Sequence, residues 1–269
     1  MTRDPPPRGN EPTMSAITLE LPQGVLRLTV SSSTDVGVVR RINEDALLVD
    51  VPLLAVADGM GGHARGDLAS AAAMDALRAG RPSEMGSADA VFDLVEAANT
   101  AVRGLDVGGA LCGTTLTGLM LVRPEPAGPA RWALFNVGDS RVYRWDGAEL
   151  QQLTVDHSAV QELVSAGLIS RETAESHPDR NIVTRALGAD DEVEADVWTL
   201  PIVPRASYLL CSDGLTRELA DERIAAAFAR RDSGETADLA ITLVRAAVDA
   251  GGRDNVTVVV VDAVLDPRP

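Results

Sequence analysis

The chain contains no lysine: all 24 of its basic residues are arginine. That absence removes every mechanism that depends on a lysine, including P-loop nucleotide hydrolysis, protein-kinase chemistry with its strand lysine, and Schiff-base catalysis. Aromatic residues are scarce, at 3%, in a 269-residue chain that is 45% hydrophobic. A core of that composition has to be assembled from Ala, Val and Leu through many small contacts. There are two cysteines, Cys112 and Cys211, both in apolar stretches and without C-x-x-C spacing. This excludes a disulfide framework or a thiolate zinc site and suits a reducing, cytoplasmic compartment.

Positive charge is also in deficit. Forty acidic residues face 24 basic ones, for a formal charge of -16. Nucleic acid and anionic membranes require a positive surface, so neither is an expected partner. No segment approaches the roughly 18 to 20 consecutive apolar residues of a membrane span. The opening MTRDPPPRGNEPT lacks the apolar stretch of a secretory signal and reads as a flexible Pro-rich tail over residues 1–14. Residues 15–265 are then expected to form one globular domain, large enough for a substantial core.

What is present begins in β. Val25–Val30, Ala46–Asp50 and Leu53–Asp58 read as three strands. Asp67–Ala79 and Ala88–Leu105 have helical spacing and end near Gly80 and Gly104. Strands are expected again at Thr114–Val122, Trp132–Val137 and Arg141–Trp145, with Gly138-Asp139-Ser140 as a tight hairpin between the last two. A helical stretch over Ser158–Glu175 leads to strands at Val193–Leu200 and Tyr208–Cys211. Helices at Asp221–Arg230 and Thr236–Ala250 precede a last strand, Val256–Asp262. Strands come in runs and helices in pairs, which is not the alternation of a doubly wound sheet. The pattern predicts an α+β antiparallel sandwich with helices on its outer faces.

Four acidic clusters flank strand-like runs: Asn43-Glu44-Asp45, Asp58-Gly59, Asp213-Gly214 and Asp254-Asn255. Each alone is an ordinary turn former. As a set at strand ends they can converge on one edge of a sandwich, where three or four carboxylates would balance two hard dications. Gly59 beside Asp58 would let a backbone carbonyl approach such an ion closely.

Seven segments carry a family resemblance: STDVGVVRRINEDA, AVADGMGGHARGDLAS, GTTLT, FNVGDSRVYRW, HPDRNIVTRALG, LLCSDGLT and GGRDNVTVVVV. In this order, from about Ser31 to Asp262, they resemble the bacterial branch of the protein phosphatase 2C (PPM) family. The resemblance implies a four-layer αββα sandwich and a Mn²⁺ or Mg²⁺ pair that activates water to hydrolyse phosphoserine and phosphothreonine in proteins, without a phosphoenzyme. By this resemblance Asp58 bridges the two ions, the Gly59 carbonyl and Glu44 serve one of them, and Asp213 and Asp254 complete the other. Asp139 with Asp213 would take a third, weaker ion. Arg40 matches the phosphate-binding arginine, and a guanidinium fork suits phosphate oxygens.

Where animal relatives place a histidine directly after Asp-Gly, this chain has Met60, so His63 is the expected general acid, with a turn histidine hydrogen-bonded to a metal-site carboxylate as the alternative reading. His157 is expected to brace the site, His177 to be structural, and Arg185 to support the sheet or an acidic neighbour. Residues 158–181 would form a flap beside the site. The expected partners are phosphorylated Ser/Thr proteins and a Ser/Thr kinase whose action is reversed, with the phosphatase acting as a monomer.

Two other readings compete with this one. Cys211 to Arg217 satisfies the C-x5-R pattern of cysteine-dependent phosphatases, but Asp213 inside that loop would repel phosphate and raise the thiol pKa. A catalytically inactive binding module would have lost ligands, and here all are present.

Overall fold

The computed structural model describes residues 13–61, 65–82, 85–105, 112–125, 128–235 and 238–268. Two six-membered sets of strands form its centre, and every pairing is antiparallel. The first sheet runs β1 (Thr13–Leu21), β2 (Gly24–Asp35), β12 (Val256–Pro267), β11 (Arg205–Cys211), β8 (Arg141–Trp145) and β9 (Leu150–Gln152). The second runs β10 (Asp196–Pro201), β7 (Arg131–Val137), β6 (Leu116–Val122), β4 (Leu53–Met60) and β3 (Asp45–Asp50), with the short β5 (Gly113–Thr114) on the end of β4.

The strand sequences are nearly continuous apolar runs because both faces of each sheet are covered. In β4, Leu54 and Val56 point between the sheets, while Leu53, Ala55 and Ala57 face outward. That outer face is covered by α1 (Gly66–Gly80) and α2 (Asp89–Arg103) through Ala69, Ala73, Leu77, Leu94 and Ala98. In β12, Val259 and Val261 point inward, while Val256, Val258 and Val260 meet α6 (Asp221–Asp232) and α7 (Leu239–Ala250). The result is the expected αββα sandwich. Its layers are filled mainly by aliphatic side chains, with Trp132 and Tyr208 packed edge to face between the sheets.

Four local expectations change. Gly138-Asp139-Ser140 closes no hairpin, because β7 lies in the second sheet and β8 in the first. The turn crosses the sandwich instead. Gly138 takes φ +105°, and a Cβ there would sit 2.6 Å from the Thr115 methyl, so only glycine turns the chain at this point. The single helix expected over Ser158–Glu175 divides at Gly167 (φ +70°) into α3 (Ala159–Ser165) and α4 (Arg171–Glu175), capped by Ser158 and Ser170. The strand expected from Val193 starts only at Asp196. Two edge strands, β1 and β9, escaped the sequence reading; β1 starts at Thr13, inside the tail expected over residues 1–14, and β12 ends at Pro267, past the expected boundary at 265.

Candidate active site

The acidic residues meet where the two sheets converge. Asp45 opens β3 and is the cross-strand neighbour of Asp58 near the end of β4. From the first sheet, Asp213 opens α5 (Asp213–Thr216) directly after β11, and Asp254 precedes β12. The Ser212 hydroxyl donates to Asp45 Oδ2 at 2.7 Å and accepts from the Thr257 amide at 3.0 Å, tying one sheet to the other. Buried Asn255 adds further ties. Its Oδ1 accepts from the Glu44 amide at 2.8 Å, and its Nδ2 donates to the Val36 and Ile42 carbonyls at 3.0 Å.

Asp58 is held by two threonines. Its amide donates to Thr115 Oγ1 at 2.9 Å, and its carbonyl accepts from Thr114 Oγ1 at 3.0 Å and from the Thr115 amide at 2.9 Å. Thr115 Oγ1 also lies 2.8 Å from Ser140 Oγ, which links Asp58 to the turn carrying Asp139. Gly59 has no room for a side chain: a Cβ would fall 2.2 Å from the Gly66 carbonyl oxygen. Glu44 Oε1 accepts from the Gly66 amide at 3.1 Å, at the N-terminus of α1, where the helix dipole favours an anion.

These carboxylates are crowded and poorly hydrated. Burial first, then repulsion from Asp45, Asp213, Asp139 and Asp254, pushes the Asp58 carboxyl well above the usual range. Burial, reinforced by Asp139, pushes Asp213 up to about 8, with Arg217 opposing. Burial likewise raises Asp139, and raises Asp45 to about 6. Asp45 Oδ1 and Asp213 Oδ1 are buried and accept no hydrogen bond. Buried carboxylate oxygens without a donor are costly unless a cation meets them. This donor set, all oxygen and strongly anionic, fits hard divalent cations.

The raised pKa values fix the sign of a pH effect. Without metal, the folded chain retains protons that the unfolded chain, with ordinary carboxyl groups, has released. Stability therefore falls as pH rises, by about 1.4 kcal/mol per pH unit for each proton retained. Between pH 7 and 8.5 the EDTA-treated protein is expected to melt at a lower temperature as pH increases. Mn²⁺ should raise Tm more at pH 8.5 than at pH 7. A metal-free Tm that climbs across this interval would contradict the mutual repulsion.

Two guanidinium groups stand among the acids. Arg40, exposed on the loop between β2 and β3, donates to Asp254 Oδ2 at 2.9 Å and lies 3.9 Å from Glu44. Arg217, one turn beyond Asp213, contacts Asp213 directly, Asp254 at 3.2 Å and Asp139 at 4.0 Å. Among the described residues, no three His, Cys, Asp or Glu side chains close on one point as a ready ligand set; the acids surround these two arginines instead. The sequence reading missed the parts played by Asp45 and Arg217. Asp45 could have been suspected from its place next to Glu44, whereas Arg217 figured only in the C-x5-R pattern.

His63 lies outside the described residues. Buried His157 accepts from the Gly138 amide through Nδ1 at 3.1 Å and approaches Asp196 through Nε2 at 3.3 Å. It thus holds the turn that carries Asp139, in the bracing place expected of it. Arg185 pairs with Asp196 at 3.2 Å, and His177 Nδ1 accepts from the Asp179 amide at 3.1 Å within its own turn. Cys211 is fully buried against α6 and α7, with its thiol pushed up to about 12 by burial, so it offers no nucleophile.

A cleft of about 630 Å³ opens from Asp139, Asp213 and Asp254 and runs between α3–α4 and the α5–α6 segment. The fold and site together define an αββα sandwich with an acidic centre at the junction of its sheets, open to a polar cleft. Residues 40–237 match the family model described as Protein phosphatase 2C. The chain belongs to the protein phosphatase 2C family.

It is 40% identical over 247 residues to the serine/threonine protein phosphatase PstP of Mycobacterium tuberculosis, covering 89% of this chain and 46% of that relative. This chain therefore spans about half the length of PstP. The structure of the PPM Ser-Thr phosphatase MsPP from Mycobacterium smegmatis, in complex with cacodylate, aligns at 40% identity with a TM-score of 0.75. That alignment covers 88% of this chain and 98% of MsPP. The catalytic domain of PstP in complex with two manganese ions aligns at 37% identity and TM-score 0.74, over 89% and 99% of the two chains.

Proposed function

We propose that this chain is a metal-dependent protein phosphatase that hydrolyses phosphoserine and phosphothreonine in proteins, reversing a Ser/Thr kinase. The observation that carries this reading is the set of buried, mutually repelling carboxylates, with donorless oxygens on Asp45 and Asp213, of which Asp139 and Asp213 line the polar cleft. Asp58, the Gly59 carbonyl, Glu44, Asp213 and Asp254 are the groups proposed to hold two core ions, Mn²⁺ or Mg²⁺. The two manganese ions in the PstP catalytic domain support this. When bound, such ions neutralise phosphoryl charge and lower the pKa of water.

The remaining steps belong to the chain's own residues. Arg40, exposed and hydrogen-bonded to Asp254, receives two phosphate oxygens in its fork. Thr114, Thr115 and Asn255 hold the acidic groups in place, so little reorganisation is needed as charge moves in the transition state. A water oxygen bonds to phosphorus in line with the breaking P–O bond, and the departing serine or threonine oxygen takes a proton, a role proposed for His63.

The phosphatase domain is proposed to run from β1 at Thr13 to the end of β12 at Pro267, with a flap at 158–181 that selects the protein substrate. The proposed setting is a cytoplasmic monomer. Among the described residues no helix is long and apolar enough to cross a membrane.

Purified protein assayed on p-nitrophenyl phosphate and on a phosphothreonine peptide should be silenced by EDTA and restored by Mn²⁺. It should be indifferent to Cys211→Ser. Activity that survives chelation but disappears with Cys211→Ser would overturn the assignment.

A further inference from the structure

At the flap end of the cleft, Asp139 and Asp213 form the pair on which the family resemblance would place a third, weaker ion. We propose that Arg217 takes the place of that ion: its guanidinium is a resident cation that closes the Asp139–Asp213 pair and leaves the centre with two exchangeable metals. The inference rests on the two-metal reading above.

Arg217 is anchored close to this position. Its amide donates to the Asp213 carbonyl at 2.8 Å, and its side chain returns along the same turn to the Asp213 carboxylate. From there it reaches Asp254 at 3.2 Å and lies 4.0 Å from Asp139. The three carboxylates come from three places in the fold: the turn between the sheets, the start of α5 and the approach to β12. A single guanidinium, with five donors and a permanent charge, can serve them together.

The individual oxygens are used unequally. Asp213 Oδ2 faces Arg217, whereas Asp213 Oδ1 is buried and accepts no hydrogen bond. Asp254 Oδ2 accepts from both Arg217 and Arg40, and Asp254 Oδ1 accepts from the Asn255 amide at 3.0 Å. Asp45 Oδ1 is also without a donor. Asp213 and Asp254 thus each give one oxygen to Arg217, while Asp45 Oδ1 and Asp213 Oδ1 accept nothing. A dication entering at Asp139–Asp213 would compete for those oxygens and approach a permanent positive charge already seated against two buried carboxylates. Arg217 also lines the cleft opposite Gln161 and Arg180 of the flap, so its charge remains available to an anionic substrate.

Mn²⁺ bound per chain, counted by titration calorimetry and by electron paramagnetic resonance of the free ion, tests the inference. Wild type should take up two ions, with no further uptake at millimolar Mn²⁺. Arg217→Gln should gain a third, weak ion, bound at least about tenfold more tightly than any such event in wild type. Adding Asp139→Asn to Arg217→Gln should remove it again. Arg217→Lys, which keeps the charge, should stay at two and serves as the second variant if Arg217→Gln melts early. A third ion in wild type that disappears with Asp139→Asn, or Arg217→Gln remaining at two, would refute the role of Arg217. Failure of the underlying reading looks different: wild type would bind no Mn²⁺, or Asp58→Asn would keep both ions.

Discussion

Asp58→Asn is expected to lower kcat by at least about a thousandfold, or about 4 kcal/mol of transition-state stabilisation. Asp58 lies at the centre of the cluster, feeling Asp45, Asp213, Asp139 and Asp254 at once. It is the carboxylate best placed to be shared between two ions, and an amide in its place removes a full negative charge. Asp213→Asn should behave similarly, since it neutralises a residue that keeps a buried oxygen without a donor.

Folding should survive both changes, for a reason visible in the structure. In the metal-free protein these carboxyl groups are under repulsion, so an uncharged amide relieves them, and metal-free Tm should be equal to or above that of wild type. The backbone contacts of Asp58 to Thr114 and Thr115 are untouched by the substitution. Isothermal titration with Mn²⁺ alongside kinetics distinguishes the outcomes. Unchanged metal binding in either variant would show that the proposed coordination is wrong.

Arg40→Ala should cost about 2 to 4 kcal/mol, roughly 30- to 1,000-fold in kcat/KM, as expected when a charge-assisted contact to phosphate is lost. The structure adds a condition to this prediction. Arg40 rests on Asp254 at 2.9 Å, so the same guanidinium neighbours a proposed metal ligand and the incoming phosphate. Because the residue is exposed and its contact is to one oxygen of Asp254, metal affinity should change far less than kcat/KM. Arg40→Lys should recover only part of the loss, since an ammonium restores charge without the planar fork. Steady-state kinetics on a phosphothreonine peptide, paired with Mn²⁺ titration, gives both numbers. Wild-type kcat/KM in Arg40→Ala would assign the phosphate to another group, with Arg41 and Arg217 the nearest candidates in chemistry.

Much of this was legible in the chain itself. The absence of lysine, the acidic balance and the four carboxylate clusters beside strand-like runs are properties of sequence, and they point to hard-metal chemistry before any fold is known. The strands read at Leu53–Asp58 and Val256–Asp262 fall within β4 and β12, because β-structure there follows from continuous apolar residues covered on both faces. Gly59 was legible as a place where a carbonyl could approach an ion, whereas the atoms that exclude a side chain there belong to Gly66 and Glu44 and are brought up only by the fold.

Where the chain goes after a turn is not a local property, and that is why the Gly138–Ser140 segment read as a hairpin. Its crossing from one sheet to the other is set by Thr115 beneath Gly138 and by His157 alongside. The edge strands β1 and β9 were missed because one borders a Pro-rich stretch and the other is only three residues long.

Residue identity and local pattern determined which groups can bind a metal or a phosphate, since chemistry and backbone preference travel with the residue. Only the tertiary structure decided which of them share a charge environment. Ser212 meets Asp45 across 167 positions and Arg40 meets Asp254 across 214, while Arg217 gathers acids from three separate elements. Electrostatic energy depends on distance in space and on loss of solvent, and both quantities exist only once the two sheets have closed on each other.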